Sequence, residues 1–308
     1  TAQMDVAVGR CVYTQFLNSS GGIEADLTVT RLAPDRFLVV TAAFTQTHVE
    51  AWIRNSIAED AFCTVTDLSD AYAMLNVQGP ASRELLQKLS SDDFSAAGFP
   101  FATCREVRIG YQTALALRLT YVGELGWELY IPVPFAQPVY DALIQAGTAH
   151  GLRHCGYHTL NSLRIEKAYR DWPHDIGPAD SPLEAGLGFT CDFKKADGFV
   201  GREALLAQRE AGVPKRRLLQ FLLEDPGPLV YHNEPIYRDG ERVGFVTSGM
   251  YGHTLGAAVA LGYVSREGGC SDDYIGAGRY EIELAAAKVP ARASLVPLYD
   301  PKNLRVRA

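Results

Sequence analysis

Two acids on one strand face pose the first chemical question. In Ser19-Ser20-Gly21-Gly22-Ile23-Glu24-Ala25-Asp26-Leu27-Thr28-Val29, a two-residue period sends Ile23, Ala25, Leu27 and Val29 to one side. It sends Glu24, Asp26, Thr28 and Thr30 to the other. A carboxylate fixed there can stabilise a cation or accept a proton. The bland alternative is the solvated face of an edge strand. Gly21 and Gly22, bare of side chains, let a ligand approach the backbone closely.

A second constellation is Tyr121-Val122-Gly123-Glu124-Leu125-Gly126-Trp127-Glu128. If Gly123 to Gly126 form a four-residue hairpin loop, Val122 pairs with Trp127 and Tyr121 stands opposite Glu128. A phenol beside a carboxylate can then grip the N–H edge of an amino-pyrimidine or a guanidinium. An aromatic and an acid on a hairpin surface fit the spacing equally well. The third candidate is Arg164, in Leu163-Arg164-Ile165-Glu166, which on a mostly apolar helix face needs an acceptor, usually a structural carboxylate.

Other patterns carry less. His154-Cys155-x-x-His158 offers three donors with no fourth ligand cluster nearby, so no metal site is expected. Gly249-Met250-Tyr251-Gly252-His253-Thr254-Leu255-Gly256 lacks the Lys-Ser/Thr of a phosphate loop and reads as tight barrel turns. No Gly-x-Ser-x-Gly elbow and no dinucleotide fingerprint after a strand is present.

The elements that must hold these residues are mixed. Strand-like alternation over 11–17, 23–32 and 36–41 precedes a helical pattern over 45–58. A short strand over 74–77 leads through Gly79-Pro80 into a helix ending near Leu89. Antiparallel pairing is expected across 106–131, then helices over 135–149, 158–169 and 201–212. Beyond Leu218, short apolar strands over 218–223, 242–247, 257–264 and 280–284 alternate with Gly, Asp and Pro turns, which predicts an all-β unit. The expected division is 1–212, an α+β region of two interleaved units, and 213–308, a β-barrel.

A chain of 308 residues, 47% apolar and 21% charged, can bury a sizeable core. Its net charge of −7 argues against sequence-independent nucleic-acid binding, and no apolar run nears the roughly 20 residues of a membrane span. Six widely spaced cysteines read as reduced, mostly buried thiols. The chain opens on Thr1 and enters a strand almost at once, which reads as a piece cut from something longer; cytoplasm and mitochondrial matrix fit its acidic composition equally.

The segments 17–31, Asn76-Val77-Gln78-Gly79-Pro80, Tyr121 to Glu128, Leu163 to Glu166 and Ser181-Pro182-Leu183-Glu184-Ala185-Gly186-Leu187 together resemble the glycine-cleavage T-protein (aminomethyltransferase) family. Phe199-Val200-Gly201-Arg202, Gly244 to Gly249 and Pro297-Leu298-Tyr299-Asp300-Pro301 continue the match. The likeness is strongest to the tetrahydrofolate-binding C-terminal part of dimethylglycine and sarcosine dehydrogenases. It implies an α+β three-part fold, with a ferredoxin-like and a companion α+β unit around a central folate cavity and a C-terminal antiparallel β-barrel.

By motif, the resemblance makes Asp26 the key carboxylate near the folate nitrogens and Glu128 the pterin-binding acid. Tyr121 becomes a pocket wall and Arg164 a residue lining the same cavity, with Gly21 and Gly22 allowing close approach. The implied activity is transfer of a methylene from an N-methyl amine or iminium donor, giving 5,10-methylenetetrahydrofolate. FAD would enter only through an upstream dehydrogenase domain or a separate subunit. The rival readings are a free-standing aminomethyltransferase or demethylase, and a silent regulatory subunit similar to the pyruvate dehydrogenase phosphatase regulator. Two departures stand out: the family's paired acids reduce here to Ala25-Asp26, and Asp171-Trp172-Pro173 before Asp175-Ile176 suggests a narrower mouth and altered substrate preference.

Overall fold

The computed structural model describes residues Thr1–Ala308. In chain order it contains β1 (Cys11–Leu17), β2 (Ile23–Ala33), β3 (Arg36–Thr41), α1 (Gln46–Asn55), β4 (Tyr72–Gln78), α2 (Ser82–Leu89), β5 (Cys104–Ile109), β6 (Gln112–Leu117), β7 (Gly126–Pro132) and α3 (Ala136–Gly147). The remainder comprises α4 (Tyr157–Glu166), α5 (Arg202–Glu210), β8 (Arg216–Leu223), β9 (Pro235–Arg238), β10 (Glu241–Gly252), β11 (Ala257–Ser265), α6 (Asp272–Ala277), β12 (Tyr280–Leu284), β13 (Ala287–Ser294) and α7 (Leu304–Arg307). The strands form a three-stranded sheet β1-β2-β3, a four-stranded sheet β4-β7-β6-β5, and a closed barrel β10-β11-β8-β13-β12-β9.

The compact units do not follow chain order. One gathers Thr1–Gln3, Thr14–Glu24 and Cys155–Lys302; the other gathers Met4–Tyr13, Ala25–His154 and Asn303–Ala308.

In the second unit the strand period decides which residues meet. Trp127, Leu129 and Ile131 of β7 point to one face, where they pack with Leu85 and Leu86 of α2 and Val139 and Leu143 of α3. Phe94 and Phe99 meet Trp127 edge-on at 5.2 and 6.0 Å between centroids, a geometry that suits aromatic quadrupoles. The opposite face therefore receives Gly126, Glu128 and Tyr130.

In the first unit the barrel interior is filled by Leu219, Phe221, Ile236, Val246, Ala258, Ala260 and Ile282. Strand β11 is buried on both faces from Ala257 to Val264, because Val259, Leu261 and Tyr263 turn outward onto Ile165 and Ala168. This double burial is why its sequence runs apolar without alternation. Short β9 and charged β13 escaped the sequence reading; Lys288, Pro290 and Arg292 interrupt β13's apolar pattern.

Candidate functional site

The four-stranded sheet positions Glu128. Its neighbours across the strands are Asn76 of β4 and Leu117 of β6. Tyr121 is therefore not its cross-strand partner, and the expected four-residue hairpin is corrected. After Leu117 the backbone leaves β7: Arg118 N–H donates to Thr103 O at 2.9 Å, and its carbonyl accepts Ala102 N–H at 3.0 Å. The buried Arg118 side chain reinforces that departure by donating to Phe99 O at 2.7 Å. Residues 118–125 form a longer loop, braced where Thr120 Oγ accepts Val122 N–H at 3.1 Å and Glu124 N–H at 3.3 Å. Tyr121 sits half-buried in that loop.

The phenol that meets Glu128 is Tyr130, two residues on along the same strand face. Its hydroxyl donates to Glu128 Oε2 at 2.8 Å. The signal was in the sequence, since i and i+2 share a face on any strand. Burial pushes the Glu128 carboxyl above the ordinary glutamate range, partly opposed by the Tyr130 bond. Oε1 carries no hydrogen bond within the chain, so this carboxyl retains acceptor capacity.

Asp26 lies on the expected face of β2, whose burial alternates from Ile23 through Val29. On that face Thr30 donates to Cys11 Sγ at 3.3 Å, and Leu32 packs beside Cys11, Leu117 and Tyr130. Glu128 contributes to raising the Cys11 thiol, chiefly displaced by burial, to about 11. The polar face of β2 and the Glu128 face of the four-stranded sheet therefore address one shared cluster. Asp26 is half-buried.

Gly21 and Gly22 do something other than expected. A Cβ on Gly22 would collide with the Pro178 carbonyl, and Gly21, at φ +84°, would meet Leu205 at 3.0 Å. Both glycines are buried, and the groups that approach them closely are the chain's own: the Pro178 backbone at Gly22 and the Leu205 side chain at Gly21. Asn18, which sequence reading left without a role, organises this turn. Its Oδ1 accepts Ser20 and Gly22 N–H at 3.0 and 2.9 Å, and its Nδ2 donates to Glu24 Oε1 at 2.9 Å.

Arg164, in the first unit, finds the structural carboxylate that its setting demands. Nη1 donates to Asp175 Oδ2 at 2.6 Å and Tyr169 O at 3.1 Å, Nη2 to Ser248 Oγ at 3.0 Å, and Nε to Asn161 Oδ1 at 3.3 Å. Asp175, its side chain fully buried, also accepts Thr247 Oγ at 2.5 Å and Asp171 N–H at 2.9 Å. The network borders a cavity of about 170 Å³ lined in part by Asn161, Asp171, His174, Tyr231 and Ser248. His154, by contrast, bonds the Tyr140 hydroxyl at 2.8 Å. All six cysteines are free.

Comparison with known proteins bears on these features together. The GCVT N-terminal domain model matches residues 1–195 and the glycine cleavage T-protein C-terminal barrel domain model matches 216–300. This chain belongs to the glycine-cleavage T-protein family. The solved aminomethyltransferase T of the Bartonella henselae glycine cleavage system superposes with a TM-score of 0.83 at 25% identity, over 96% of this chain and 78% of that one. The fold is therefore the T-protein fold with its C-terminal barrel, as the sequence motifs implied. A formaldehyde-forming 4-methylaminobutanoate oxidase of Paenarthrobacter nicotinovorans is 44% identical over 100% of this chain and 36% of its own length. Human mitochondrial sarcosine dehydrogenase is 40% identical over 97% of this chain and 34% of its own. The chain thus spans about a third of these curated relatives. No helix is long and apolar enough to cross a membrane.

Proposed function

We propose that this chain is a tetrahydrofolate-dependent aminomethyltransferase module that takes a methylene unit from an N-methyl amine or iminium donor and forms 5,10-methylenetetrahydrofolate. The donor would be generated by an FAD-dependent dehydrogenase domain or subunit, in keeping with relatives named for oxidising methylated amino acids. The observation that carries the reading is the Glu128 carboxyl: buried, held by Tyr130 at one oxygen, and without a chain partner at the other. A reduced pterin presents adjacent N–H donors of the kind such a carboxyl accepts.

Reduced folate, when bound, supplies the ring nitrogens that take up the one-carbon unit. Glu128 accepts ring N–H donors, and Tyr130 fixes its rotamer. Asp26 stabilises the cationic donor and accepts the proton released as the carbon is captured. Tyr121 closes the loop side of the pocket, and Arg164 is held in place by Asp175 and Ser248. The alternative of a silent regulatory subunit is disfavoured by the retained, accessible Asp26. Turnover of tetrahydrofolate with a supplied iminium donor tests the choice. Methylenetetrahydrofolate formation by the wild type, lost in Asp26→Asn, supports the transferase; no turnover by either leaves the silent reading.

A further inference from the structure

The cavity beside Arg164 has a polarity of its own. On one side are hydrogen-bond donors without acceptors: Nδ2 of Asn161, whose Oδ1 already takes Arg164 Nε, and the hydroxyl hydrogen of Ser248, whose oxygen already takes Arg164 Nη2. On the other side are acceptors without donors. Asp171 Oδ2 engages His174 Nδ1 at 2.9 Å, leaving Oδ1 open. Because a carboxylate only accepts, His174 must carry its proton on Nδ1, and neutral His174 then presents Nε2 as a second acceptor. The Tyr231 ring, 61% exposed, stands along the same cavity.

Charge and size narrow what such a site can hold. Arg164 lies 2.6 Å from Asp175 and 3.8 Å from Asp171, so two carboxylates face one guanidinium and the balance at the cavity is negative. A simple anion meets uncompensated repulsion there, and a simple cation leaves the donor side unmatched. The cavity, about 170 Å³ and open to solvent, has room for a small polar ligand.

We infer that this cavity is a subsite for a small zwitterionic N-methyl amino acid, with its carboxylate at Asn161 and Ser248 and its ammonium at Asp171, His174 and Tyr231. Arg164 acts here as a positioning residue, orienting Asn161 Oδ1 and Ser248 Oγ so that their hydrogens face the ligand. The inference rests on the transferase reading, since it names the amine that would accompany the folate. It also gives the departure at Asp171-Trp172-Pro173 a purpose, because Asp171 supplies the open acceptor.

Calorimetric titration of the 308-residue chain with N-methylglycine, acetate and methylammonium tests it, with 5-formyltetrahydrofolate titrated in parallel. N-methylglycine is expected to bind at least about tenfold more tightly than either fragment, a difference within the range of one added charged hydrogen bond. Asp171→Asn weakens it at least about fivefold, as does Asn161→Asp, which keeps the acceptor for Arg164 but removes the donor. Neither variant changes folate affinity, and thermal unfolding confirms that both are folded. Equal binding of amino acid and fragments, or indifference to both substitutions in folded protein, overturns the subsite. Displacement of N-methylglycine by the folate also overturns it, assigning the cavity to a folate carboxylate instead. Failure of the wild type to bind folate at all would remove the transferase reading while leaving the amino-acid titration to be judged separately.

Discussion

Glu128 and Arg164 are both ionisable side chains on elements whose other residues are mostly apolar, yet their surroundings differ in kind. Arg164 is 4% exposed and meets acceptors at each of its nitrogens, with Asp175 supplying the opposing charge. Glu128 has one bond, from Tyr130, and no cation paired with it. A saturated ion pair is architecture: separating it costs much, and it has little left to offer a ligand. An under-bonded carboxyl pushed toward its neutral form is a group held ready for a partner.

That contrast is open to direct attack. The largest effect on turnover is expected from Asp26→Asn, which should lower methylene transfer by about 10²–10⁴-fold, the range for one general base, with the melting temperature unchanged. The largest effect on stability belongs to Asp175→Ala. It strands the buried guanidinium and should cost about 3–5 kcal/mol in denaturant unfolding, whereas Asp175→Asn, whose one carbonyl oxygen still accepts Arg164 while its NH2 donates to the Thr247 hydroxyl, costs visibly less. Gly22→Ala should destabilise by about 1–3 kcal/mol, the usual cost of overpacking, because its methyl group would collide with the Pro178 carbonyl and crowd the Asn18 amide.

A gentler effect distinguishes Glu128 by its pH dependence. Its folded pKa is raised, so the folded state binds the proton more tightly than the unfolded one. Stability is therefore full below the ordinary glutamate range and declines as pH rises from that range through the folded pKa. Glu128→Gln should flatten this component of the melting-temperature profile. A profile of wild type and variant that fall in parallel would mean that Glu128 is solvated and that the contrast with Arg164 is false.

The sequence showed the architecture more clearly than the contacts. The alternation of β2, the apolar run of β11 and the turn-rich character after Leu218 announced their elements because strand period and burial are written in residue types. The family motifs carried the fold. The partner of Glu128 was misread because Gly123 to Gly126 resembles a tight turn, while the residue that redirects the chain, Arg118, acts through bonds to Ala102 and Thr103. Such long-range pairing leaves no local signature. Likewise the need of Arg164 for an acid was legible, but the supply of Ser248 from the barrel strand β10 was not. Gly21 and Gly22 read as room for a ligand, whereas the groups packed against them are Leu205 and Pro178 of the chain itself.

The measurement that bears most directly on the central claim is equilibrium binding of 5-formyltetrahydrofolate to the wild type and to Glu128→Ala, each verified as folded. One ligand per chain, with affinity falling at least about tenfold on losing a charged hydrogen-bond acceptor, is the predicted result. Equal affinity in the two proteins would contradict it.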